Sequence, residues 1–184
     1  MGQGWALDVQ ELWEAVREAG SDMSHDPTSA ERAIDEALGG AVVLKEHSPE
    51  YIRWKLMAPP GSELKFEVFL YLDDGEPQLI AGTNDSRDAL LWAAFFEQAD
   101  YRSTAERDQA FFKTLRNVLT HRTRIRWRQG RWSWSAECEY EAGDEWRKIS
   151  GYSATGSAKP RGVTNLPLKG TLEALPVLRP SPNT

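Results

Sequence analysis

The residues best able to do chemistry are few in this chain and lie far apart. The histidines are His25, His47 and His121, and none has a second His or Cys at the close spacing of metal ligands. Cys138, the single cysteine, falls at an inward position of a predicted strand, where a buried thiol is the usual outcome. The sequence therefore predicts no metal site, no cofactor and no Cys–His nucleophile.

The neighbouring carboxylates Asp73 and Asp74 are the remaining candidate ligands, here for a hard cation. Gly75 follows them, and Asp-Asp-Gly between two apolar runs is also what a tight turn requires. We interpret the pair as turn residues. The chain contains no phosphate-loop, dinucleotide-binding, nucleophile-elbow or zinc-protease motif. A non-catalytic protein is predicted, and an enzyme with a non-contiguous acidic site stays an alternative.

A stretch rich in arginine and tryptophan, HRTRIRWRQGRWSWSAECEYEAGDEWR, occupies residues 121–147. Its alternation predicts a hairpin with a two-residue turn at Gln129-Gly130, which pairs Trp127 with Trp132 and Arg122 with Glu137. In that pairing Trp127, Trp132 and Trp134 share the inward face, and the arginines share the outward face. The candidate residues for binding an anion or a partner are Arg122, Arg124, Arg126, Arg128 and Arg131.

Three explanations of this arginine row stay open. The side chains are solvated or paired within the fold, they bind an acidic protein, or they bind single-stranded nucleic acid along residues 122–131. Arginines two residues apart on a strand are spaced about 6.6–7 Å, comparable to phosphates on a single strand. Single-strand binders, however, place aromatic rings on the same surface as the cations, and here the two are predicted on opposite faces.

A second candidate surface is aromatic. The segment LKFEVFLYL at residues 64–72 predicts a strand whose leucines, Phe66 and Val68 face one way, while Phe69 and Tyr71 face the other. If no helix covers that side, Phe69 and Tyr71, with Trp5 as a further candidate, form an exposed patch typical of a protein interface. A sheet buried on both faces is the alternative.

Charge is divided unequally along the 184 residues. The net charge is −6, but residues 1–100 carry −13 and residues 101–184 carry +7. Such asymmetry indicates either an electrostatic binding face or two halves that attract each other within one fold. The longest apolar run, ALLWAAFF at 89–96, is far shorter than the roughly 18 residues of a membrane helix. A cytoplasmic protein without a membrane partner is predicted.

Periodicity predicts an α+β fold of about four helices and seven strands, in the order αα-ββββ-αα-βββ, with helices on one face of a mainly antiparallel sheet. Capping-box spacings at Thr28–Glu31 and Ser103–Glu106 predict two helix starts. The predicted helices are 8–19, 28–38, 86–98 and one that follows Ser103. Residues 1–155 are predicted to form a single domain, and the Pro- and Gly-containing residues 156–184 an extension that lies on it.

These observations favour a non-catalytic protein-binding domain, of the kind that serves as a cognate inhibitor (immunity- or antitoxin-like) or as a secretion chaperone. The expected partner is another protein, contacted by the acidic N-terminal half and the basic hairpin. The first alternative is a single-stranded nucleic-acid binder, and the second is the motif-free enzyme.

Overall fold

The computed structural model describes residues 27–83, 90–155 and 166–178, except for the side chains of Leu90 and Thr155. Two α-helices and nine strands lie within these ranges. The helices are α1 (Pro27–Leu38) and α2 (Thr104–Thr120). The strands are β1 (Val42–His47), β2 (Tyr51–Leu56), β3 (Leu64–Tyr71), β4 (Pro77–Thr83), β5 (Leu90–Phe95), β6 (Thr123–Gln129), β7 (Ser133–Ala142), β8 (Glu145–Thr155) and β9 (Lys169–Ala174). The α+β class is confirmed, and the element count differs from the prediction.

The strands form two antiparallel sheets. The first sheet has the order β1-β2-β3-β4-β5, a meander in which each strand pairs with the next one along the chain. The second sheet has the order β8-β7-β6-β9, so that β9 closes the far side of β6. One cluster of buried side chains includes residues of both helices and both sheets. The two sheets therefore share a hydrophobic core.

The inner face of the first sheet supplies much of this core. The alternation predicted for β3 is confirmed, since Leu64, Phe66, Val68 and Leu70 are buried. Trp54 of β2 is also fully buried, and its indole Nε1 donates a hydrogen bond of 2.7 Å to Asp35 of α1. Pairing the one polar atom of a buried indole avoids the penalty of an unsatisfied donor and fixes α1 over this face.

Three of the four predicted helices fall on described residues, wholly or in part, and two of them are confirmed. The helix predicted at 8–19 lies outside the described residues. Ser103 caps α2 as predicted, because its hydroxyl accepts a hydrogen bond from the Glu106 N–H. The capping box predicted at Thr28 is wrong: α1 begins at Pro27, so Thr28 lies inside the helix. Proline suits the first helical position, where its missing N–H has no partner to lose.

The helix predicted at 86–98 is wrong over its described part, where residues 90–95 form β5. Four consecutive residues of this segment, from Leu91 to Ala94, are buried. On one edge β5 pairs with β4, and the second sheet packs against it, since Trp134 donates from Nε1 to the Leu91 carbonyl at 3.1 Å. A short, wholly apolar run fits a strand covered on both faces as well as it fits a buried helix, and tertiary packing decides between them.

The segment after residue 155, predicted to lie on the domain without continuous regular structure, contains β9. This strand pairs with β6 from Arg128–Lys169 to Thr123–Ala174. Trp127 holds the start of β9, because its indole Nε1 donates to the Pro167 carbonyl at 3.1 Å. Described residues of the predicted extension therefore belong to the second sheet, and the predicted boundary at 155/156 stays a prediction.

The β6–β7 hairpin forms, but the register differs from the predicted one. Arg126 faces Glu137 and Trp127 faces Ala136, and residues 130–132 connect the strands, so the turn does not lie at Gln129-Gly130. A type I′ turn needs positive φ at both central residues, and neither Gln129 nor Gly130 adopts it. The shift is even, so Trp127 and Trp134 stay on the inward face as predicted. Trp132 moves into the loop and is 70% exposed, which contradicts its predicted inward position.

Candidate functional site

The arginine row lies on the outward face of β6, where carboxylates from both neighbouring strands meet it. Arg124 donates from Nε to Glu139 of β7 at 2.6 Å. Arg126 donates to the same carboxylate at 2.7 Å and to Glu137 at 3.4 Å. Arg122 donates from Nε to Glu173 of β9 at 3.0 Å, and its second nitrogen also contacts Glu173. The predicted opposition of Arg122 to Glu137 is wrong, because the observed register moves Glu137 to Arg126.

Electrostatics and stacking tie this network together. The Lys148 ammonium donates to Glu137 at 2.7 Å and is the largest cause that lowers the pKa of that carboxyl, with a smaller contribution from Arg126. The Glu173 carboxylate raises the pKa of Arg122. Trp146 on β8 lies beside the row, and the Arg124 guanidinium sits 4.1 Å from its ring centroid. Three arginines of the row are thus neutralised within the fold.

The end of the row is different. Arg128 and Arg131 are exposed, and neither has an ion pair within the described part of the chain. Arg131 stacks on Trp132, with its guanidinium carbon 5.5 Å from the ring centroid. The predicted row therefore divides into a neutralised part at Arg122–Arg126 and a free basic end at the hairpin loop.

The predicted aromatic patch lies on the outer face of the first sheet. Phe69 and Tyr71 of β3 contact Tyr51 of β2, with ring centroids 5.3 Å and 6.3 Å away. All three side chains are half-buried and lie outside the shared core. Arg53 crosses the patch: its guanidinium is 5.4 Å from the Phe69 ring and pairs with Glu67 at 2.7 Å. Trp5, the third predicted member, lies outside the described residues.

Carboxylates surround one end of this patch. Glu50 is exposed in the loop that precedes β2, and Asp73 and Asp74 are exposed in the loop that follows β3. Partial burial raises the pKa of Tyr71, and the nearby charges of Asp74, Asp73 and Glu50 raise it further. The patch thus combines partly exposed aromatic rings with a negative rim, and the sequence identified the rings but not the rim.

The groups suspected of chemistry lie apart from one another where they are described, and His25 lies outside the described residues. Cys138 is fully buried, and burial raises the pKa of its thiol, so a reactive thiolate is disfavoured. His47 lies 3.5 Å from Glu31 of α1. Asp73 and Asp74 accept hydrogen bonds from the N–H groups of Asp74 and Glu76, and Gly75 has a φ of +67°, as a turn requires. Among residues 27–83, 90–155 and 166–178 no three candidate ligands gather to hold a metal.

Sequence patterns did not reveal a buried ion pair on α2. Arg107 and Asp108 are both buried, and their side chains pair at 2.9 Å. Burial raises the pKa of Asp108, and the neighbouring guanidinium opposes that rise. One carboxylate oxygen of Asp108 has no hydrogen-bond partner within the described structure.

An open cleft of about 640 Å³ lies between the end of β5, α2 and the edge strand β8. Its lining mixes aromatic and charged side chains, among them Phe95, Tyr101, Tyr152, Lys113 and Lys148. Phe95 and Tyr152 bridge the two sheets, with ring centroids 6.0 Å apart. The volume is in the range of small-ligand sites. Both cations and carboxylates line the cleft, so its charge does not favour an anionic ligand over a cationic one.

Comparison of the chain with protein-family models, with curated proteins and with solved structures finds no match. In the described residues, no helix is long and apolar enough to cross a membrane. The function must therefore be inferred from the surfaces of the molecule.

Proposed function

We propose that this protein is a non-catalytic protein-binding domain that binds its partner on the outer face of the first sheet. The observation that carries the proposal is the position of Phe69, Tyr71 and Tyr51, which are partly exposed and excluded from the core. Neither helix of the described residues contributes to that face. Tyrosine and other aromatic residues are enriched in binding hot spots because they bury large areas at small entropic cost.

The partner is expected to present basic and apolar side chains. Glu50, Asp73 and Asp74 form a negative rim at one end of the aromatic patch. Such a rim attracts a basic partner and orients it during association. Arg53 is already held by Glu46 and Glu67, so little side-chain entropy is lost when a partner covers it. A cognate inhibitor and a secretion chaperone would both use a surface of this kind.

The alternatives receive less support from the same geometry. A polynucleotide bound along residues 122–131 would have to displace Glu139 and Glu173 from Arg124 and Arg122. The Arg124 guanidinium also covers the Trp146 ring, so a base could not stack on that face. For an enzyme, the open cleft beside β8 offers tyrosines and lysines, but no nucleophile–base pair is found among the described residues that line it.

A capture experiment tests the proposal. Tagged wild-type protein and the Phe69→Ser/Tyr71→Ser variant are each used to isolate the partner from the native host, and the affinity is then measured by calorimetry. If removing the two rings costs about 2 kcal/mol of binding free energy in total, the Kd of the double variant rises roughly 30-fold over that of wild type. The matched control is Arg147→Gln, an exposed change on the second sheet. Equal affinity of the double variant and wild type would refute this binding face.

A further inference from the structure

The end of the second sheet carries the most exposed aromatic ring among the described residues, on a basic surface. We define the hairpin tip as Arg128, Arg131, Trp132, Leu168 and Lys169. Trp132 is 70% exposed and Leu168 is 71% exposed. Large apolar side chains at this exposure have a solvation cost that a binding function would explain.

Charge at the tip is of one sign. Arg128 of β6 lies directly opposite Lys169 of β9, and its other neighbour across the sheet is Ser135 of β7. Like charges at directly opposed positions destabilise a sheet. Arg131 adds a third exposed cation, and no carboxylate pairs with any of the three in the described part of the chain. The rest of the same strand is neutralised, so the uncompensated charge is confined to the tip.

Backbone and side-chain hydrogen bonds attach the start of β9 to β6 at the tip. Gln129 donates its backbone N–H to the Leu168 carbonyl at 2.6 Å, and Trp127 holds the Pro167 carbonyl at 3.1 Å. Gly170 lies against the Trp127 ring, where any larger residue would collide. The paired strands therefore place the backbone of Leu168 and Lys169 beside Arg128, so a ligand would not have to order this part of the backbone.

We propose that the hairpin tip binds the surface of an anionic phospholipid membrane. Trp132 and Leu168 would enter the interfacial layer, and Arg128, Arg131 and Lys169 would contact lipid phosphates and acidic headgroups. Indole rings favour the membrane interface, and each basic residue near an anionic surface adds about fivefold to binding. The inference is independent of the partner face on the first sheet.

Nucleic acid would match the charges and the Trp132 ring but not Leu168 or the shape of the tip. Leu168 has no π-face on which a base could stack, and the tip is the end of a hairpin, not a groove that follows a strand. The predicted absence of a membrane partner depended on the lack of a spanning segment. Contact with a membrane surface requires no such segment, only exposed apolar side chains among cations.

Vesicle co-sedimentation tests the proposal with the full chain. Wild-type protein is expected to sediment with vesicles made of equal amounts of phosphatidylcholine and phosphatidylserine, and salt should release it. It should not sediment with vesicles of pure phosphatidylcholine. Replacing two cations, Arg128→Gln and Lys169→Gln, should lower the partition coefficient about 25-fold. Trp132→Ser with Leu168→Ser should lower it about tenfold or more. Thermal melting verifies that each variant is folded.

Two controls make the outcome decisive. Arg147→Gln removes an exposed arginine at the other end of the sheet, and Phe69→Ser changes the proposed partner face, so both should bind vesicles like wild type. Failure of the wild-type protein to sediment at low salt would overturn the proposal, as would equal loss in Arg147→Gln. Tighter binding to single-stranded oligothymidylate than to vesicles, abolished by the tip variants, would assign the tip to nucleic acid instead.

Discussion

The contact between Gly170 and Trp127 makes a sharp prediction about how β9 is held. A Cβ built on Gly170 would lie within 2.9 Å of three carbons of the Trp127 ring. Carbon atoms at optimal contact are about 3.5–4.0 Å apart, so either the ring or the strand must move. Trp127 is buried and hydrogen-bonded to Pro167, which leaves the ring little room. Gly170→Ala should therefore destabilise the protein.

The size of the effect follows from two contributions. Overpacking of a filled core costs about 1–3 kcal/mol. Displacing the indole from the Pro167 carbonyl adds about 1 kcal/mol for the lost hydrogen bond. The sum, about 2–4 kcal/mol, corresponds to a fall in Tm of roughly 4–16 °C for a chain of this length. Urea unfolding monitored by tryptophan fluorescence gives the free energy, and thermal melting gives Tm.

Gly151→Ala is the matched control. Gly151 lies in β8 of the same sheet, and the nearest atom to its added Cβ is Lys148 Nζ at 3.5 Å, an ordinary contact. This variant should be neutral within about 0.5 kcal/mol or slightly more stable, because glycine in a strand is entropically unfavourable. The cost of Gly170→Ala should also shrink in a Trp127→Leu background. Equal stability of the two glycine variants, or an unchanged cost beside Leu at position 127, would refute the proposed collision.

Two further predictions concern the arginine row and its pairing. Arg124→Met should lower the free energy of unfolding by about 1–3 kcal/mol, because it removes a hydrogen bond to the buried carboxylate of Glu139. Arg128→Met should be neutral or stabilising, because it removes a cation with no carboxylate partner in the described chain. Urea unfolding measures both free energies, and equal costs would contradict the division of the row. The lowered pKa of Glu137 means that its ion pair with Lys148 contributes stability above the ordinary carboxyl pKa and loses it as pH falls below that value. In Lys148→Gln the free energy of unfolding should therefore fall less on acidification than in wild type. The difference should be below about 1 kcal/mol, since both side chains are largely exposed. An identical fall in both proteins would show that the pair contributes nothing.

Local patterns in the sequence predicted the elements whose signals agree with each other. The alternation of β3 has one side fully apolar, and the four residues on that side, Leu64, Phe66, Val68 and Leu70, are buried as expected. Ser103 has the side chain of an N-cap and sits before an apolar stripe, and α2 begins there. The predicted hairpin placed Trp127 and Trp134 inward correctly despite a wrong register, because any even shift preserves the faces of a strand.

Other features depend on residues that are distant in sequence. Arg122 is neutralised by Glu173, which is 51 positions away and becomes its neighbour only when β9 pairs with β6. The helix predicted over 86–98 fails at β5 because a wholly apolar run has no period from which to distinguish helix from strand. The negative rim beside Tyr71 arises because the loops before β2 and after β3 meet at one end of the sheet.

The sequence by itself determined the α+β class, the inward side of Trp127 and Trp134, and the lack of a contiguous catalytic or metal motif. These depend on local periodicity and residue type, which are readable without knowing what lies opposite. Tertiary structure alone decided which arginines keep their charge free and which strand covers β6. Ion pairs between strands are set by register, and β9 brings Glu173 to β6 from 51 positions along the chain.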